Sequence, residues 1–78
     1  MSTTITGTVT AVREHVNRLG DRWAEVELDS DAGYTALVLA FPKVHRRAGA
    51  LAVGAEVEIT GRWHRGRQLF AHQIVARR

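Results

Sequence analysis

A single helical pattern set among strand patterns limits what this chain can fold into. Pro42 fits the first position of a helix after Phe41, the end of a buried strand. Val44, Ala48 and Leu51 follow at i, i+4 and i+7 as one apolar stripe. Gly49 weakens this helix and Gly54 closes it, which places it near Pro42 to Val53. Everywhere else the period is two. Thr4 to Glu14 alternates Ile5, Gly7, Val9 and Ala11 against Thr6, Thr8 and Thr10, with Gly7 marking a bend. His15 to Asp21 breaks the pattern as a loop. Trp23 to Asp29 sets Ala24, Val26 and Leu28 against Trp23, Glu25, Glu27 and Asp29, and the acidic side must face solvent. After the turn Ser30 to Gly33, Tyr34 to Phe41 is a third strand. Glu56 to Trp63 is a fourth and Gln68 to Val75 a fifth, joined by a tight Arg-Gly turn.

The chain has 78 residues, enough for one domain spanning 1–78. A domain this small buries only roughly 60% of its unfolded surface, which favours a closed architecture. With no cysteine, neither a disulfide nor a thiolate zinc site can reinforce it. The fold class is therefore all-β: a five-stranded Greek-key barrel with one short helix between strands 3 and 4. A sandwich would need about seven strands. That wiring is the OB-fold. Val9, Val26, Leu28, Leu37, Leu39, Val57 and Ile59 are expected inside, and Val44, Ala48 and Leu51 plug one end. No apolar run is long enough to cross a bilayer and the N-terminus lacks a signal-peptide pattern, so a soluble, cytoplasmic protein is expected.

The ordered set Gly7-x-Val9, Gly20, Ala24-x-Val26-x-Leu28, Gly33, Phe41-Pro42-x-Val44, Leu51, Gly54, Val57-x-Ile59-x-Gly61 and Leu69-x-Ala71-x-x-Ile74 resembles a known family. It is similar to the nucleic-acid-binding OB domain of bacterial DNA polymerase III alpha subunits and to the anticodon-binding type of OB module. The resemblance implies a barrel that binds single-stranded nucleic acid. Glu25 and Glu27 depart from it, because the family usually carries uncharged side chains there.

Charge distribution supports the same class of ligand. All eight acidic residues lie between Glu14 and Glu58, whereas the segment from Ile59 onward carries Arg62, Arg65, Arg67, Arg77 and Arg78. A single-strand site needs aromatic planes for bases and cations along the phosphates. Trp23 is the leading stacking candidate and Tyr34 a second. His64, Arg65 and Arg67 form a basic hairpin around Gly66, and Arg13, Arg18 and Arg22 line the opposite loop. Trp63 shares the parity of Val57 and Ile59 and is expected in the core. Phe70 should pack against the barrel, and Lys43, Arg46 and Arg47 should form a solvated helix face.

Catalysis finds no footing. His15, His45, His64 and His72 fall in separate elements without metal-ligand spacing, no nucleophile sits beside a base, and no glycine loop cradles phosphate. The expected activity is binding of single-stranded DNA or RNA without metal or cofactor, in replication or repair. The alternative is a protein-interaction subunit of a replication, repair or translation assembly, which Glu25, Glu27 and Asp29 would suit.

Overall fold

The computed structural model describes residues 2–49 and 51–77. Its elements are β1 (Thr3–Val16), β2 (Arg22–Ser30), β3 (Thr35–Ala40), α1 (Pro42–Ala48), β4 (Glu56–His64) and β5 (Gln68–Ala76). The strands close into a barrel in the order β1-β2-β3-β5-β4. All neighbours are antiparallel except β3 and β5. Its interior is filled by Val9, Val26, Leu28, Val38, Ile59 and Leu69, all essentially inaccessible to solvent.

Closure depends on sharp bends. A Cβ on Gly7 would collide with the Asp29 carbonyl, and one on Gly61 with the Phe70 carbonyl, so only glycine lets these strands approach. A bulge lies between Val9 and Ala11, which pair with the consecutive residues Leu28 and Glu27. It reverses the parity of β1. Ile5, Gly7 and Val9 face the core, but Ala11, expected inside, sits opposite outward-facing Glu27, as Arg13 sits opposite Glu25. β1 also continues to Val16, so the expected loop from His15 shrinks to Asn17–Asp21. Asn17 Oδ1 secures that turn by accepting the Leu19 and Asp21 amides.

Two expectations about β3 and α1 are corrected. Leu37 and Leu39 are only half-buried; Ala36, Val38 and Ala40 face inward instead, opposite Leu28, Val26 and Ala24. With Leu28, Ile59 and Leu69 already filling the interior, that wall has room for alanine and valine, not two more leucines. The helix stops at Ala48 because Gly49 adopts φ 72°, outside the helical region. Gly54 instead lies in a later turn, its amide donating to the Val9 carbonyl. Val44 and Leu51 still pack against the core, as the apolar stripe implies.

Candidate nucleic-acid interface

The reversal in β1 assembles a face. Across β1 and β2, Arg13 stands opposite Glu25 and His15 opposite Trp23. Across β2 and β3, Glu25 and Glu27 stand opposite Leu39 and Leu37. Leu39 then neighbours Phe70 of β5, which stands opposite Arg62 of β4. The outer surface is thus a strip of rings, leucines and charges reaching from the β1–β2 turn to the β4–β5 hairpin.

Five rings form a continuous row along it. His15 stacks on Trp23 with centroids 4.5 Å apart and planes inclined by 26°. Trp23 neighbours Phe41 at 5.8 Å, and Phe41 meets Phe70 edge-on at 5.3 Å. Phe70 stacks on His64 at 4.6 Å and 27°. These separations lie within the ordinary range for interacting aromatic pairs. Phe41 reaches the row because it precedes α1 in extended conformation and its side chain makes no capping bond.

Glu25 and Glu27 on this face each have a basic neighbour. His15 Nε2–H donates to Glu25 Oε1 at 2.7 Å, and Arg13 Nη2 lies 3.9 Å from Glu27 Oε2. The two acids that departed from the family pattern therefore each lie beside a basic group of β1.

The remaining candidates divide between the two ends. Arg18 occupies the exposed β1–β2 turn and Arg22 begins β2. Arg65 and Arg67 flank Gly66 in the exposed three-residue loop of the β4–β5 hairpin, where Arg65 takes φ 46°. Tyr34, just before β3, leans on Trp63 at 6.1 Å, and both are about 40% exposed (39% and 41%). Trp63 is therefore not a core residue: it keeps the inward parity of Ile59 and Gly61 but lies beyond the described β1–β4 pairing, which runs to Gly61.

Arg77 serves the scaffold instead. It donates to Asp31 Oδ2 at 2.9 Å, and Thr6 Oγ1 donates to the same oxygen. The Arg77 hydrogen bond, helped by Thr6, holds the Asp31 carboxyl below its usual range; the same bond raises Arg77. Among the described residues, no group of three or more His, Cys, Asp or Glu side chains could hold a metal ion.

His15, Phe41 and Phe70 are the site residues the sequence reading missed. The signal for Phe70 was present: Leu69-x-Ala71 alternates with period two, which puts Phe70 on the outer side between inward Leu69 and Ala71, and the irregularity of β5 opposite Thr60 and Gly61 comes only after Ala71. His15 could be placed only by finding the bulge, and Phe41 only by its neighbours.

No protein-family model matches the chain, and no curated protein matches its sequence. Among solved structures, the mitochondrial single-stranded DNA-binding protein Rim1 of S. cerevisiae superposes with a TM-score of 0.67. The match covers 99% of this chain and 93% of that one, at 18% identity. The chain is an OB-fold barrel. In OB-folds the ligand face is that of strands 2 and 3 with the loops after strands 1 and 4, which is where the ring row lies.

Proposed function

We propose that this OB-fold binds single-stranded nucleic acid, without catalysis, along its ring row. The observation that carries the reading is the unbroken series His15, Trp23, Phe41, Phe70 and His64, with arginines at both ends. Bases stack on the rings, with exposed Phe41 and half-buried Trp23, the largest ring of the row, as the main planes. Arg13, Arg18 and Arg22 at one end, and Arg62, Arg65 and Arg67 at the other, meet the phosphates. Leu37 and Leu39 give the bases an apolar floor. The single-stranded DNA bound by the structural neighbour supports the ligand class, as does the resemblance to replicative OB domains. The protein-partner alternative drew on Glu25, Glu27 and Asp29; the contacts of Glu25 with His15 and of Glu27 with Arg13 weaken it, and Asp29 remains in its favour.

Titrating short homopolymeric DNA and RNA strands against tryptophan emission at several salt concentrations tests this. Log affinity should fall with log salt by about 0.7 for each phosphate contact. Replacing Arg65 with Asn, which tolerates a positive φ, together with Arg67→Ala should shallow that slope. Trp23→Ala should weaken binding by ~1–3 kcal/mol, the contribution of one stacked base. Absence of binding to every strand at low salt would overturn the reading.

A further inference from the structure

A surface cleft lies between the β1–β2 turn and the side of α1. It holds about 490 Å³ and is lined by Gly20, Asp21, Arg22, Pro42, His45, Arg46 and Gly49. Its walls start where the row stops: Arg22 precedes Trp23 in sequence, and Pro42 follows Phe41. Two residues of its lining are thus the chain neighbours of Trp23 and Phe41. Its volume falls within the roughly 300–1,000 Å³ of small-molecule sites, enough for a nucleotide. Two guanidinium groups, from Arg22 and Arg46, oppose one carboxylate, that of Asp21, and Pro42 adds an apolar wall. Arg46 is solvent-exposed, as its place on the helix implied, and borders this cleft, whereas Arg47 lines a separate depression with Val44, His72, Gln73 and Ile74.

We propose that this cleft is a terminal nucleotide subsite. A strand stacked on Trp23 and Phe41 continues into it, with its phosphate between Arg22 and Arg46 and its sugar or base against Pro42. The proposal rests on the single-strand reading above and adds where the strand goes beyond the barrel face. It also gives the site polarity, since an extra nucleotide gains a contact only at the strand end that leaves the row past Trp23.

The test compares a homopolymer just long enough to cover the row with the same strand extended by one nucleotide at its 5′ or its 3′ end. The wild-type protein should gain about two- to fivefold in affinity from one extension and not the other, the size of an exposed ion pair. Arg46→Ala should bring the ratio of extended to short strand affinity toward one. Asp21→Asn, which removes the opposing charge, should raise that ratio, and Arg47→Ala should leave it unchanged. Arg46 is exposed, so its replacement does not threaten folding. If the short strand binds but the two extensions are equivalent, or Arg46→Ala keeps the full gain, the cleft is not a subsite while the ring-row reading stands. If no strand binds at all, both fall together.

Discussion

At the scale of single residues, function depends on what stands beside each charge. Glu25 and Glu27 in isolation would repel a phosphate chain. Paired with His15 and Arg13, they instead hold those basic side chains on the proposed ligand face. The Arg13–Glu27 contact is long and half-exposed, so it contributes at most about 1 kcal/mol to stability. Its greater effect is electrostatic. Glu27→Gln should therefore raise affinity for every strand and steepen the salt dependence as Arg13 becomes free, while the melting temperature stays almost constant. Unchanged affinity would mean that the strand does not cross β2.

At the scale of elements, the bends decide which side chains face out. The irregularity at Thr60–Gly61 lets β5 keep Ile74 opposite Ile59 as well as Leu69 and Ala71 inward, while Phe70, between those two, joins the ring row. Gly61→Ala would drive a Cβ into the Phe70 carbonyl and push the two strands apart. The expected outcome is a loss of about 1–3 kcal/mol in chemical denaturation, the usual cost of overpacking, together with weaker strand binding as Phe70 is displaced. An alanine tolerated without cost would show that β5 can shift and that the bend does not fix Phe70. The short helix illustrates the same point. Its apolar stripe was legible in Val44 and Leu51, but its length was not, because Gly49 stops it where the stripe alone would carry it on.

At the scale of the whole molecule, closure of the barrel is secured away from the ligand face. Asp31, in the turn after β2, receives hydrogen bonds from Thr6 of β1 and from Arg77 just after β5. Folding holds its carboxyl below the ordinary value of 3.8, first through Arg77 and then through Thr6. The ionised form is therefore favoured by the folded state. Its stabilisation is complete above the unfolded value and is lost as pH falls through the lower folded one. Asp31→Asn should lower the melting temperature slightly at neutral pH and flatten its decline below about pH 4, with nucleic-acid affinity untouched. An acid limb identical to that of the wild type would show that the strap carries no pH dependence.

The sequence by itself determined the all-β class, the five strands, the place of the helix and most of the core. Periods of two and 3.6 are local properties that β-branched residues, glycine and Pro42 impose on their own stretches of chain. Trp23, His64 and the hairpin arginines were nominated as site candidates from equally local information, residue type and an exposed turn, and Trp23 and His64 do stand in the ring row. The tertiary structure decided what parity could not. A bulge in β1 turned Ala11 and His15 outward, and the limited volume of a small barrel expelled Leu37 and Leu39 in favour of alanine and valine. Trp63, beyond the described β1–β4 pairing, stayed exposed despite its inward parity, and the approach of β2, β3 and β5 brought Trp23, Phe41 and Phe70 into one row. Each of these outcomes depends on residues far apart in the chain competing for the same space, and no local pattern records that competition.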